Sequence, residues 1–586
     1  MKWNSRTRCT IVCALFALLF SVFSYRLIYL QMVKHEYYSK IAAEKNVGRN
    51  VIRAERGAIY DTHDEVLAQN VPVATIVADG TLINRPDDLV PILAKALHLP
   101  EPEIAEKIRT RRPYIVLKRE LPEAEARALE QNLENEKLRG IRCERGTVRV
   151  YPNGSMLCHV VGFTDFNQRG IQGVEASMEQ YLRGEDGYRY IEHDAQGREI
   201  VLYRGTEHPP RNGCQVHLTI DLHLQAIVED ELDAAMREFR PEKATIILMR
   251  PQTGEILAMA NRPNFDLNLR ADAKPEQMKN RAIIDMMEPG STFKIVTAAS
   301  ALNERKVRLD SVIFCENGVW NIGGRPLHDH KSYADLSVQD ILVHSSNIGA
   351  AKMAIMLGEE KFYEYIRRFG FGDRSGIELP GEIGGMVHPP KRWSKISITR
   401  IPMGQEVGVT PLQMIMAMAT IANGGKLVQP RIVRSIVGDE RKAITELKPT
   451  VVRQVISPDS AAQIARALRG VVSERGTAAE AAVPGFTISG KTGTAQKAAP
   501  SGGYEKNKYV VSFSGFLPSE NPAFVGLVVL DDAHTKDPNL NFGGTVAGPI
   551  FSRVAEKAAR YLDLEPHEEL GTKATAGRVA LTNAHR

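Results

Sequence analysis

Glu288-Pro-Gly-Ser-Thr-Phe-Lys294-Ile-Val-Thr-Ala is the stretch on which the reading of this chain turns. Pro289-Gly290 breaks the chain, and an apolar run of helical character follows. Ser291 is therefore expected at a helix N-terminus, where backbone N–H groups and the helix dipole favour developing negative charge. Lys294 lies three residues on and shares the helix face of Ser291. A serine hydroxyl is a weak nucleophile and needs a base beside it. A lysine serves only when neutral, and desolvation or a second nearby cation lowers its pKa. Average composition gives roughly two chance Ser-x-x-Lys matches in a chain of this length. By itself the motif is equally a serine cap followed by a surface lysine.

The surroundings of this stretch read as one α+β domain. Leu222 to Phe239 has helical spacing. Ala244 to Met249 and Glu255 to Ala260 flank Arg-Pro-Gln-Thr-Gly as a hairpin. Several helices follow. Phe486 to Gly493, Tyr509 to Phe516 and Ala523 to Leu530 read as three strands, and Gly548 to Leu562 as a closing helix. Strands at both ends with helices between predict a sheet closed by the domain's two termini. We place this domain at residues 216–565, followed by a polar, disordered tail at 566–586. The preceding residues, 34–215, form a mixed α/β segment with no nucleophile–base pair. In it Pro113 to Lys118 reads as a strand, Glu123 to Glu134 as a polar helix and Tyr151-Pro-Asn-Gly as a turn. Residues from the anchor to about Asn50 look charged and helical.

The chain has 586 residues, too many for one core, and a formal net charge of +5. Eight lysines and arginines against two glutamates fall within residues 1–50, so the basic excess is N-terminal. No basic stripe argues for nucleic acid. Residues 11–25 carry no charge, and Leu27 to Val33 extends the apolar run, giving an anchor at 11–33 behind a short cytoplasmic 1–10. Arg26 snorkels to the interface, and Lys2, Arg6 and Arg8 keep the N-terminus inside. A cleaved signal peptide is the alternative, although Val22-Phe23-Ser24 is a poor cleavage site. Either way the remainder is exported. Cys143, Cys158, Cys214 and Cys315 can pair in an oxidising space, but each reads more simply as a buried free thiol. Their spacing matches no zinc pattern. His328-Asp329-His330 lacks a third ligand nearby, so no metal or other cofactor is expected.

Two further motifs change the weight of the first. Ser345-Ser346-Asn347 lies in a helix-adjacent run, and Lys491-Thr492-Gly493-Thr494 ends a strand-like one. Each is weak alone: Ser519-Glu-Asn521 is a second Ser-x-Asn, and Lys-Thr-Gly also suits a strand-end turn. In this order the three triplets resemble the serine acyl-transferase set of penicillin-binding proteins and β-lactamases. The resemblance to class B penicillin-binding proteins covers about residues 10–565. Arg56-Gly-Ala-Ile-Tyr-Asp61, Arg149-Val-Tyr-Pro-Asn-Gly154, His159-Val-Val-Gly162 and Gly173-Val-Glu175 resemble motifs of the family's N-terminal pedestal. Gly370-Phe-Gly372, Leu379-Pro-Gly-Glu382 and Gly408-Val-Thr-Pro-Leu-Gln413 resemble its transpeptidase domain. Asp61-Thr-His-Asp64 departs from the usual Asp-Arg-Asn-Gly. Asn347 within Ser-Ser-Asn-Ile-Gly-Ala-Ala-Lys resembles the division type, since the elongation type tends to have aspartate there.

The resemblance implies a peptidoglycan D,D-transpeptidase, anchored once in the inner membrane with its catalytic domain outside, at the division site. It implies catalytic roles for Ser291, Lys294, Ser345 and Asn347, and binding of a terminal carboxylate by Lys491, Thr492, Gly493 and Thr494. Lys491 would also help to keep Lys294 neutral. The implied partners are peptidoglycan stem peptides, β-lactam antibiotics, a SEDS-family glycosyltransferase and other division-complex membrane proteins. Elongation- or sporulation-type enzymes, and a hydrolase of the same chemistry, remain alternatives on these residues.

Overall fold

The computed structural model describes residues 4–38, 47–192, 207–438, 443–499, 503–537 and 540–566. They divide between two compact units, one within Met1–Glu55 and Gly184–Gly213, the other within Arg56–Arg183 and Cys214–Arg586.

In the first unit, the helix Ser5–Ile28 runs into a π-helical turn, Tyr29–Val33. Cys9–Val33 is long and apolar enough to cross a membrane. Its hydroxyls fold back onto the helix: Thr10 Oγ1 donates to Arg6 O and Ser21 Oγ to Ala17 O. The expected helical stretch does not reach Asn50. Val47–Ile52 is instead a strand, antiparallel to Gly187–Glu192, with Asn50 opposite Arg189. Its partner lies far along the chain, so local charge pattern gave no sign of it. The expectation for residues 39–46, and for the tail beyond 566, lies outside the described residues.

The second unit holds two large sheets. One follows the order Ala443–Glu446, Val433–Val437, Gln215–Leu218, Ile59–Tyr60, Val66–Ala78, Ile115–Pro122, with Ile141–Val150 also paired to Val66–Ala78. Gln215–Leu218 pairs parallel with Ile59–Tyr60 and antiparallel with Val433–Val437. Sequence on either side of residue 215 therefore shares a continuous sheet. Helices Pro86–Leu97, Glu101–Arg109 and Glu123–Asn135 close a small separate core, in which Leu89, Leu93, Ile104 and Leu129 are buried.

Three of the N-terminal motifs meet at one buried ion cluster. Arg56 Nε donates to Glu175 Oε2 and Arg149 Nε to Glu175 Oε1, both at 2.7 Å, and Arg56 Nη1 reaches Glu179 Oε2 at 2.7 Å. The unusual Asp61-Thr-His-Asp64 keeps its turn. Asp61 accepts from the backbone N–H groups of His63, Glu65 and Leu222. Asp64, standing where the resembled motif has glycine, adopts φ 66° and pairs with His217 Nδ1 at 2.9 Å. Asp tolerates this left-handed conformation at a cost of about 1 kcal/mol. Cys158 and Cys315 are buried free thiols, while Cys143 is only half-buried.

The other sheet carries the site. Its order is Ile256–Arg262, Lys243–Met249, Phe524–Asp531, Tyr504–Leu517, Ser489–Ala498, antiparallel throughout. The N-terminal hairpin joins the C-terminal strands through Lys243–Met249 and Phe524–Asp531, as the sequence predicts. Helix Leu222–Phe239 starts at Asp221, whose side chain accepts from His223 N and Leu224 N. Its buried face, Leu224, Val228, Leu232, Ala235 and Phe239, has helical spacing. It packs with helix Ala547–Tyr561 beside the sheet. Helix Pro411–Ala422 is buried from Pro411 to Ile421 and begins with a capping box between Thr410 and Gln413. Gln413 Nε2 also donates to Asp373 O and Gly384 O. These bonds account for a polar residue inside an otherwise apolar core helix. Ser489–Ala498 is left at the sheet edge, with one side open beside the Ser291 turn.

Candidate active site

Ser291 lies in a 3₁₀ turn, Gly290–Phe293, that runs into the α-helix Lys294–Asn303. A 3₁₀ turn has three residues per turn, so side chains at i and i+3 stand above one another. Lys294 Nζ accordingly lies 3.0 Å from Ser291 Oγ. Glycines let the backbone close around this turn. At Gly404 (φ 83°) an added Cβ would fall 2.2 Å from Gly290 O, and at Gly493 it would fall 3.0 Å from Pro289 O. The Lys-Thr-Gly strand is thereby pressed against the serine turn.

Ser345 and Asn347 enter from the start of helix Asn347–Leu357. Ser345 has φ 58°, an uncommon conformation for a non-glycine residue. Its carbonyl faces Lys294 Nζ at 2.5 Å and its Oγ lies at 3.1 Å from the same nitrogen. Asn347 Oδ1 is 2.7 Å from Lys294 Nζ. Asn347 Nδ2 donates to His328 O at 2.7 Å, which fixes the amide with its oxygen toward the lysine. Lys491 Nζ lies 2.9 Å from Ser345 Oγ. Thr492 Oγ1 meets Thr477 Oγ1 at 3.1 Å, and Thr494 Oγ1 accepts from Gly543 N at 3.1 Å. All eight residues singled out in the sequence thus fall in one cluster.

Lys294 and Lys491 are wholly buried. Burial pushes the Lys294 amine down to about 7, with Asp329 opposing the shift. Burial, reinforced by Lys294, lowers Lys491 well below an ordinary lysine. The expectation that Lys491 keeps Lys294 neutral is modified: for Lys294 desolvation leads, and the repulsion bears on Lys491. A neutral lysine has two N–H groups and one lone pair. The Ser345 carbonyl and Asn347 Oδ1 only accept, so they take the N–H groups. The lone pair is left for one hydroxyl at a time, that of Ser291 or that of Ser345. Such a site is equipped to deprotonate a serine.

The model of the penicillin binding protein transpeptidase domain matches residues 244–556, and that of the penicillin-binding protein dimerisation domain matches 51–218. The chain is 33% identical to stage V sporulation protein D of Bacillus subtilis, over 94% of this chain and 86% of the relative. It is 31% identical to the peptidoglycan D,D-transpeptidase FtsI of Escherichia coli, over 97% and 93%. Penicillin binding protein 3 of Mycobacterium tuberculosis, solved with aztreonam, superposes with a TM-score of 0.70 at 26% identity, over 89% of this chain and 99% of that one. This chain belongs to the class B penicillin-binding proteins.

As a class B penicillin-binding protein it is a serine enzyme with a transpeptidase domain, and its motif residues are only part of the site. Sequence reasoning weighed His328-Asp329-His330 as a metal site and passed over its actual contacts. His328 lends its carbonyl to Asn347, and the His330 ring meets Phe542 edge-on at 5.7 Å. Asp329 binds the start of the Asn347 helix. Thr477, Gly404 and Gly543 were also missed. Each reaches the site across a long stretch of chain, and no local pattern announces it.

Proposed function

We propose that this penicillin-binding protein is a septal peptidoglycan D,D-transpeptidase with Ser291 as its acylated nucleophile. The observation that carries the reading is the 3.0 Å approach of a buried, readily neutral Lys294 to Ser291 Oγ. Lys294 takes the serine proton as Ser291 attacks the penultimate D-Ala carbonyl of a stem pentapeptide. Backbone N–H groups of Ser291 and Thr494 receive the oxyanion, each such donor being worth about a hundredfold or more in rate. Ser345 passes a proton to the leaving amine, and terminal D-Ala departs. Asn347 holds the donor peptide and orients Lys294. Lys491, Thr492, Gly493 and Thr494 bind the terminal carboxylate. An amine from a neighbouring stem peptide then resolves the acyl-enzyme, forming the cross-link. β-Lactams acylate the same serine.

In this reading residues 216–565 are the catalytic module, 34–215 the pedestal and 11–33 a single-pass inner-membrane anchor, with 1–10 cytoplasmic. The septal assignment rests on Asn347 within Ser-Ser-Asn-Ile-Gly-Ala-Ala-Lys and on the likeness to FtsI. A SEDS-family polymerase and other division-complex membrane proteins would be its partners at the division site.

The test is fluorescent-penicillin labelling with peptide mapping, run beside depletion in the cell. Label on Ser291, absent in Ser291→Ala, with filamentous depleted cells, is expected. Label that persists in Ser291→Ala overturns the nucleophile. Swollen cells that still constrict, or normal division with failed spores, overturn the septal assignment alone.

A further inference from the structure

The turn Asp61-Thr-His-Asp64 departs from the resembled Asp-Arg-Asn-Gly at Thr62, His63 and Asp64. The last two each make one half of a histidine–carboxylate pair. His63 Nε2 lies 3.1 Å from Asp221 Oδ2, and Asp64 Oδ1 lies 2.9 Å from His217 Nδ1. The partners come from far along the chain. His217 is on strand Gln215–Leu218, and Asp221 starts helix Leu222–Phe239.

The surroundings hold both pairs in place. Asp221 Oδ1 is taken up by His223 N and Leu224 N at the helix start. Its Oδ2 is left for His63 and for Tyr561 Oη, which donates at 3.1 Å from the last residue of helix Ala547–Tyr561. Burial, then the Asp221 charge, push the Tyr561 phenol up, so it stays a donor. One carboxylate thus joins the turn to both helices that pack together beside the site-bearing sheet. On the other side, the His217 ring stacks on Tyr60 at 5.0 Å. Asp64 keeps φ 66°, which glycine would adopt freely, so a charge is carried there against backbone strain.

We propose that Asp61-Thr-His-Asp64 is an acid-strengthened clasp: protonated His63 and His217 form ion pairs with Asp221 and Asp64 that fasten this turn to the two helices and to strand Gln215–Leu218. Histidine changes its charge between about pH 5 and 8. An ion pair needs both charges, so the pairs are complete on the acid side and are lost as pH rises. By linkage, the form that gains from protonation is the one acid favours. Other charges face the turn. Asp61 accepts from His63 N, Glu65 N and Leu222 N, and Arg434 on strand Val433–Val437 donates to Thr62 O and Oγ1. His223 stacks on Tyr561 at 5.3 Å; as a third histidine it requires its own control.

The test is hydrogen–deuterium exchange of the full chain in detergent at about pH 6 and about pH 8, corrected for the intrinsic exchange rate. It reads the peptides holding Thr62 N, bonded to Ile220 O, and Leu222 N, bonded to Asp61 Oδ2. In the wild type these amides should exchange about three- to tenfold faster at the higher pH, the effect of two exposed ion pairs. In the double variant His63→Asn, Asp64→Asn the difference should vanish. Both side chains are exposed, and asparagine tolerates the left-handed backbone. His223→Gln should keep the difference. Equal corrected rates in the wild type overturn the proposal. So does a pH dependence that survives the double variant, or one that vanishes with His223→Gln. If the double variant does not fold, His63→Asn decides: a reduced dependence supports the clasp, and an unchanged one overturns it.

Discussion

Lys294 and Lys491 meet at one hydroxyl: their side-chain nitrogens lie 3.1 and 2.9 Å from Ser345 Oγ. Two buried ammonium groups at such a spot repel, and burial disfavours both charges. Acylation needs Lys294 neutral, so its rate should climb with pH through about 7 and level off above. The repulsion bears on Lys491 and burial sets Lys294, so replacing Lys491 with Gln should leave the limb in place. Penicillin acylation rates across the neutral range check both statements, and a limb that moved to higher pH would show the Lys491 charge acting on Lys294 and contradict the second. The pair also opposes folding at neutral pH. Unfolded lysines bind protons that the folded pair sheds, so this contribution to stability improves as pH rises toward that of an ordinary lysine.

Lys294→Arg tests the base directly. Arginine stays protonated, so it cannot take the Ser291 proton, whatever contacts it keeps. Acylation should fall by about 10²–10⁴-fold, the range of general-base contributions. A stopped-flow acylation rate near that of wild type would leave Lys294 as merely an electrostatic neighbour.

Gly404→Ala probes the backing of the nucleophile turn. The new Cβ would sit 2.2 Å from Gly290 O and 2.5 Å from Gly290 N, both backbone atoms, at a φ of 83°. Gly290 must shift, and Ser291 moves with it. A displacement approaching 1 Å costs about a hundredfold in rate. Slower acylation together with a lower melting temperature is expected, and unchanged kinetics would show that the turn has slack.

What the sequence discloses here follows from how far each interaction reaches. Helix Leu222–Phe239 is readable to both ends because its cap, Asp221, is adjacent and its buried face repeats locally. In the five-stranded sheet, Lys243–Met249, Ile256–Arg262 and Phe524–Asp531 are readable as largely apolar runs, whereas the edge strand Ser489–Ala498 is polar and is marked by its Lys-Thr-Gly motif. The Ser291, Ser345 and Lys491 motifs are legible as short fixed spacings. What holds them is not. Thr477 meets Thr492 across 15 residues, Asp329 meets Asn347 across 18, and Gly543 meets Thr494 across 49. The strand Val47–Ile52 has the same difficulty, since its partner is Gly187–Glu192.

Glu175 tests the buried ion cluster. It is 0% exposed and neutralises both Arg56 and Arg149. Glu175→Gln would leave Arg56 with Glu179 alone and take from Arg149 the acid it pairs with. Breaking a buried ion cluster this way costs about 3–5 kcal/mol. A clearly lower melting temperature is expected, with penicillin acylation unchanged while the protein stays folded. Little change in melting would mean that water or a rearranged Glu179 replaces the charge.

The acyl-enzyme should outlive its formation by a wide margin. Hydrolysis requires a base that activates water beside the ester at Ser291. Among the described residues, no carboxylate is hydrogen-bonded to the side chain of Ser291, Lys294, Ser345 or Asn347. The nearby acids are engaged elsewhere. Glu288 accepts from Tyr504 Oη at 3.0 Å and from Glu406 N at 2.9 Å, and burial pushes its pKa up. Asp329 has both oxygens on the Asn347 helix. Lys294 is then the base at hand, and it serves an amine as well as water. An acceptor amine that brings its own binding contacts gains a large advantage from being held in place, whereas water gains none. Wild-type enzyme labelled with penicillin should therefore keep its label through gel filtration. Rapid turnover, with many equivalents of opened penicillin per enzyme, would point to an unrecognised water-activating group and to the hydrolase chemistry of the same superfamily.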